Sequence, residues 1–295
     1  MSVVLGANNY GKSEVRLVKV DRGPDRHDLH DLTVDVALSG EFEAAHVRGD
    51  NTGLLATDTM RNTVYALARR HPIESPETFA SILVRHFLEA GPSVTSARVQ
   101  IVEHPWARLG SHPQAFERAA GGQHVAIVTG DDGDLTVEAG IDDLLVLKTT
   151  GSGWEGYLHD QYTSLKETAD RIMATVVTAR WTYPRAAQLD FAQMWESVRA
   201  TVLEAFGNHY SPSVQFTLHH MGEAVLEAHP EVERIHFSLP NKHHLLYDLS
   251  RFGLDNPNEI FHATTEPYGL IEGTVERSPV PARDNGGAGV GAARA

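Results

Sequence analysis

The sequence predicts an α+β protein of two tandem units, each an antiparallel four-stranded sheet with a pair of helices on one face. Strand-like alternation and helix-like spacing follow one another as strand, strand, helix, helix, strand, strand, and this order occurs twice. The second helix of each pair opens on a Ser-Pro step, Ser75-Pro76 and Ser211-Pro212. Serine caps a helix well there, and proline suits the first helical position. At 295 residues and 41% apolar content the chain can bury a sizeable core in about two domains.

In the first unit, strands are expected near 13–21 and 32–41, the second alternating through Leu32, Val34, Val36 and Leu38. A helix over 57–70 places Met60, Val64, Leu67 and Ala68 on one face. The helix from Ser75 shows Phe79, Ile82, Leu83 and Phe87, and strands near 94–104 and 123–130 close the unit. The boundary falls near 134–141, giving domains 1–137 and 138–277. In the second unit, strands near 143–149 and 174–183 precede a helix capped by Asp190, with Phe191, Met194, Trp195, Val198 and Val202. The helix from Ser211 carries Val214, Leu218, Met221 and Val225, and strands follow near 232–239, 244–249 and 269–277. Residues 278–295 are rich in Pro, Gly and Ala with almost nothing to bury, and are expected to form a disordered tail.

The formal net charge of −14 argues against nucleic acid or an anionic membrane as the main partner. It leaves room for an anionic small molecule, because local cations decide a pocket. The chain has no cysteine, which removes disulfides, thiolate metal sites, iron–sulfur ligation and cysteine nucleophiles. No apolar run approaches the roughly 18–20 residues a spanning helix needs. The start, Met1-Ser2-Val3-Val4-Leu5-Gly6, is too short for a secretory leader and lacks its basic region.

The densest chemistry lies in Ser238-Leu239-Pro240-Asn241-Lys242-His243-His244. Ile235, Phe237 and Leu239 share one face of a strand, and Pro240, with no N–H to donate, is expected to end its pairing. Asn241 and His243 then sit on a short, stiff crossing, where rigid placement suits a site. Arg171 offers a planar, permanently charged fork, and Gln215 offers both donor and acceptor. Read alone, an exposed ion pair and a solvated first-turn residue are the ordinary roles of these two. Thr57 sits at a helix N-terminus, where free N–H groups favour an anion, although a plain cap would look the same.

Two further signals carry little. Gly151-Ser152-Gly153-Trp154-Glu155-Gly156 fits a dinucleotide pattern, but the next strand lacks the acidic residue that would hold a ribose. Of the seventeen histidines, His219 and His220 diverge on a helix and His243 and His244 alternate along a strand. His27-Asp28-Leu29-His30 is expected in a solvated connection between strands, so no metal site is expected.

Tyr10-Gly11-Lys12, Thr57-Asp58-Thr59, Asn62-Thr63-Val64-Tyr65, the run Tyr162 to Thr168 with Arg171, Ser213-Val214-Gln215 and Asn241-Lys242-His243 stand in a telling order. That order and spacing resemble the urate oxidases from Leu5 to about Arg277. The resemblance implies two tandem tunnelling-fold (T-fold) domains and a homotetramer whose sheets join side by side. It implies urate and O2 as substrates, 5-hydroxyisourate and hydrogen peroxide as products, and no cofactor. It implies that Arg171 and Gln215 clamp the purine beside the Val214 backbone, that Leu165 lines the pocket, and that Asn241 places oxygen or water over the ring. Lys12, Thr57 and His243 would relay protons, with Asp58 beside Thr57, and each site would be shared by two chains. Where the family stacks a phenylalanine on the purine, this sequence has Trp154. The end, Ala293-Arg294-Ala295, lacks the Ser-Lys-Leu address of many eukaryotic members, which points to a bacterial, cytoplasmic one. Alternatives are another T-fold enzyme on a purine- or pterin-like substrate, or a non-catalytic purine-binding paralogue.

Overall fold

The structure is a computed structural model describing residues 2–131, 134–184 and 189–278. Its first half runs β1 (Tyr10–Arg22), β2 (His27–Gly40), α1 (Glu43–Arg48), α2 (Thr57–Arg70), α3 (Pro76–Leu88), β3 (Val94–Glu103), β4 (Trp106–Arg108), β5 (Phe116–Arg118) and β6 (Gln123–Asp131). The second runs β7 (Asp134–Lys148), β8 (Met173–Tyr183), α4 (Phe191–Gly207), α5 (Val214–Ala228), β9 (Arg234–Pro240), β10 (His244–Leu246), β11 (Phe261–Ala263) and β12 (Leu270–Glu276). Eight strands make one antiparallel sheet in the order β1-β2-β3-β6-β7-β8-β9-β12, so each half supplies four neighbours. β4–β5 and β10–β11 form small separate hairpin sheets. Strands β1 and β12 are the free edges of the large sheet.

The alternating residues of β2, Leu32, Val34, Val36 and Leu38, are buried as their period requires. They share one continuous core with Met60 and Val64 of α2, Phe79, Leu83 and Phe87 of α3, and Val198, Val202, Met221 and Val225 of the second helix pair. Fully burying each such side chain stabilises the fold by roughly 1.5–3 kcal/mol before entropy is counted.

The two halves repeat each other in detail. Each first strand carries a bulge: between Lys12 and Val15 in β1, where Glu14 has φ 58°, and between Ile141 and Leu144 in β7, where Asp143 has φ 56°. The second helix of each pair is capped alike, Ser75 accepting from the Thr78 N–H and Ser213 from the Phe216 N–H, both at 3.1 Å. Counted from these caps, Glu77 in the first half corresponds to Gln215 in the second. Glu77 is fully buried, with His124 Nε2 at 2.6 Å from its Oε1, and the His124 ring stacks on Trp195 at 4.5 Å.

Several expectations need correction. Strand β7 begins at Asp134 rather than near 143, because its bulge absorbs Asp142 and Asp143 without ending the pairing. Helix α5 is capped by Ser213, not Ser211, whose hydroxyl is turned inward. His27–His30 belong to strand β2, paired with Lys19 to Arg22, and not to a connection. Pairing also continues through Pro240: Leu270 lies opposite it, and the Asn241 N–H donates to the Gly269 carbonyl at 2.8 Å. The 244–249 strand is shorter and leaves the large sheet for the β10–β11 hairpin. The tail expected over 278–295 lies outside the described residues except for Ser278.

Candidate active site

Seven of the expected site residues line one open cavity of about 890 Å³: Trp154, Leu165, Arg171, Val214, Gln215, Asn241 and His243. They arrive from four places in the chain. Arg171 precedes β8, and its N–H donates to the Ser152 carbonyl at 2.8 Å. Trp154 is fixed by reciprocal backbone bonds with Thr168, at 2.7 and 3.1 Å. Gly153 beside it lies under the Tyr210 hydroxyl, which a Cβ at that position would displace. Val214 and Gln215 form the first turn of α5, Val214 buried and Gln215 exposed toward the opening.

Asn241 and His243 lie where the chain crosses from β9 to β10. The Lys242 N–H donates to the Ala174 carbonyl at 2.8 Å, and the His243 carbonyl accepts from the Thr264 N–H at 2.9 Å. Both ends of the crossing are thus pinned, and the stiffness expected from Pro240 comes from these bonds instead.

Arg171 decides the electrostatics. Burial lowers its pKa from the ordinary arginine value, and its Nε has no hydrogen-bond partner. Among the described residues it enters no ion pair. A desolvated, unpaired guanidinium is costly, and a bound planar anion would offset that cost. The guanidinium carbon lies 5.9 Å from the Trp154 ring, so cation and flat π-face stand together. Trp154 is in turn backed by Tyr157, stacked at 5.4 Å and 14°, and Tyr157 by His159 at 4.7 Å and 5°. Sequence reasoning missed this aromatic stack, because its spacing follows neither helix nor strand. It also missed Phe261 and Ile271 in the cavity wall, brought in by the β10–β11 hairpin and the edge strand β12.

Lys12, Thr57 and Asp58 do not line this cavity. They gather at the opposite edge of the sheet. The β1 bulge sets Lys12 opposite Val36 and Val15 opposite Val34, so Lys12 keeps to the helix-bearing face. Gly11 before it lies against the Val36 carbonyl, with no room for a side chain. Two residues earlier on that face, the Tyr10 hydroxyl accepts from the Leu55 N–H at 2.8 Å, tying β1 to the start of α2. Thr57 is the first residue of α2, the cap position is Ala56, and no side chain caps the helix. The Thr57 hydroxyl is therefore not spent on capping. Asp58 pairs with Arg61 at 2.6 Å and accepts from Asn62 at 3.2 Å.

Residues 8–131 and 137–272 match the family described as Uricase. The uricase of Arthrobacter globiformis is 48% identical over 275 residues, covering 93% of this chain and 90% of that one. The chain belongs to the uricase family. The uricase of Dictyostelium discoideum is 41% identical, covering 92% of this chain and 96% of its own. The crystal structure of the Arthrobacter globiformis uricase matches with a TM-score of 0.92 at 47% identity, covering 96% of this chain and 98% of that chain. The two halves are accordingly tandem tunnelling-fold units of the uricase type. No helix among the described residues is long and apolar enough to cross a membrane.

Proposed function

We propose that the cavity binds urate and that the chain is a urate oxidase, converting urate, O2 and water to 5-hydroxyisourate and hydrogen peroxide. The observation that carries this is Arg171: a desolvated cation without a partner, beside a flat aromatic face, in the wall of a cavity with ample room for a purine. Urate is a planar anion at neutral pH. Arg171 would bond a carbonyl oxygen and a ring nitrogen together, Gln215 the mixed edge, and Trp154 the ring face. The Val214 backbone and Leu165 would complete the wall. Asn241, held in the cavity wall by its crossing, would position oxygen or water.

The balance of the reaction sets what remains. Two electrons pass from urate to O2, water supplies the hydroxyl that adds to the ring, and the reduced oxygen takes up two protons. His243 stands in the cavity wall, where an imidazole can both accept and donate a proton. Lys12 and Thr57 would pass the proton on, with Asp58 beside them, and no cofactor is required in this scheme. These three residues lie at the β1 edge, whereas the cavity lies toward β12. Two free edges on one sheet invite pairing between chains. Setting β1 of one copy beside β12 of another would bring the two groups together, and closure of that pattern gives the homotetramer we propose. We divide each chain into domains 1–137 and 138–277, a boundary inside β7. A cytoplasmic location rests on the sequence resemblance.

The test is direct. Purified protein mixed with urate should remove the near-ultraviolet absorbance of urate while peroxide appears in equal amount, with or without a chelator. Unchanged absorbance would remove the function. Loss of activity on chelation, rescued by one added metal, would remove the cofactor-free scheme.

A further inference from the structure

Behind the cavity lies a buried line of polar groups that the proposed chemistry does not use. Ser211 and Thr217 are fully buried. Thr217 Oγ1 lies 2.7 Å from Ser211 Oγ and 2.8 Å from His209 Nε2. Ser211 Oγ is 3.0 Å from the Ser213 carbonyl oxygen. At the far end, His209 Nδ1 is 2.7 Å from the Ala205 carbonyl oxygen, a contact that requires an N–H on that nitrogen.

Counting hydrogens shows that the line has two arrangements. Each hydroxyl carries one proton. In the neutral imidazole Nδ1–H serves Ala205, so Nε2 accepts from Thr217, and Thr217 in turn accepts from Ser211. Ser211 then has nothing left for the Ser213 carbonyl. In the protonated imidazole Nε2–H donates to Thr217, Thr217 to Ser211, and Ser211 to the Ser213 carbonyl. The line reverses as a unit.

Its end matters because Ser213 caps α5, and the next two residues, Val214 and Gln215, line the cavity. The Ser213 carbonyl also accepts the first helical bond, from the Thr217 N–H at 3.2 Å. The backbone of Ser211 holds the other wall as well. Its N–H donates to the Gly151 carbonyl and its carbonyl accepts from the Gly153 N–H, both at 2.8 Å, next to the Ser152 carbonyl that receives Arg171.

We propose that His209 is a positioning residue for the cavity: through Thr217 and Ser211 it sets whether the Ser213 carbonyl is held, and so the seat of Val214 and Gln215 against the purine edge. This rests on the reading of the cavity as the urate site. Three elements face His209. Lys148 of β7 donates its ammonium to the His209 carbonyl at 2.8 Å, the His220 ring of α5 lies 4.7 Å away, and α4 supplies the Ala205 carbonyl. Burial first, then the Lys148 charge, lowers the His209 pKa from the ordinary 6.5. The neutral arrangement therefore holds at pH 7, and acidification reverses it.

Two substitutions at Thr217 test this. Valine keeps the shape and removes the hydroxyl; serine keeps the hydroxyl and removes a methyl. With Thr217→Val the Ser211 hydroxyl is freed to donate to the Ser213 carbonyl at every pH. The urate KM at pH 7 should therefore change about five- to tenfold, the worth of one hydrogen bond, toward the value wild type shows in acid, while kcat moves far less. Thr217→Ser should stay within about twofold of wild type. The wild-type KM should also change on acidification through the His209 titration, and that change should vanish in Thr217→Val. If valine is tolerated and serine is the damaging change, Thr217 is packing and the proposal is overturned. Should the wild-type protein oxidise no urate, the urate reading falls separately, and the line is judged by the NMR titration of the His209 imidazole. Its pKa should shift with valine and hold with serine; one value in all three proteins would overturn the proposal.

Discussion

In the proposed site Arg171 and Trp154 would set how tightly a purine is held, through different physics. The guanidinium fork can make two parallel bonds, and an ammonium in its place makes one, so Arg171→Lys should weaken urate binding about tenfold or more. Equilibrium binding of a purine that cannot be oxidised measures this, and an unchanged affinity would return Arg171 to a structural role. Trp154→Phe keeps a flat π-face on the same pinned backbone and should retain activity. If steady-state assays find it dead, the indole is needed for its stack on Tyr157 rather than for the purine. At this scale much was legible in the sequence. Asn241 and His243 stand out by their motif, and Arg171 and Gln215 through the family resemblance. What could not be read was the burial of Arg171 without a partner, because desolvation is a property of the packed surroundings and not of the residue.

The β1 bulge and the uncapped start of α2 act as one device, which places Lys12 and leaves the Thr57 hydroxyl unspent at a helix N-terminus. Two groups in one relay lose function together. Lys12→Met and Thr57→Ala should each lower kcat on the order of 10²-fold, and the double mutant should be little worse. Losses that multiply in steady-state kinetics would mean independent roles. Helix α2 was legible from its apolar spacing, and α3 because apolar spacing and a Ser-Pro start agree. The start of β7 was not. Gly140, Asp142 and Asp143 are poor strand formers, and the bulge shifts the alternation, so local pattern hides a strand that partners β6 and β8 maintain. Around α5 the sequence offers serine at both 211 and 213, and only the packing of Ser211 against Thr217 decides between them. Of the β10–β11 hairpin the sequence showed the first strand, while β11, three residues long, is too short to carry a period.

Across the whole molecule, the sheet carries the two halves of the proposed site at opposite edges. Arg171→Ala and Thr57→Ala chains should each be inactive alone. Unfolded together and reassembled, they should recover a clear fraction of wild-type activity, because one shared site escapes both lesions. A mixture that exchanges subunits and stays inactive would mean each site is built within one chain. The fold as a whole should also be acid-sensitive. Burial lowers the pKa of His104, His209 and His229 from the ordinary 6.5. Below about pH 6.5 the unfolded chain then binds more protons than the folded one, so stability falls with pH there and is flat above. Thermal melts from pH 8 to 5 measure the slope, and His229→Gln should reduce it; a melting temperature indifferent to pH would contradict these shifts.

The buried pair of Glu77 and His124, closed over by Trp195, has a consequence for arithmetic. Glu77 stands where the second half has Gln215, yet an indole and an imidazole already fill the space above it. Repetition of the fold has doubled the scaffold without doubling the chemistry. One copy of the position was turned into core, which joins α3 to α4 across the middle of the sheet, and the other was left open to solvent. The proposed site therefore gives one purine for every two folding units.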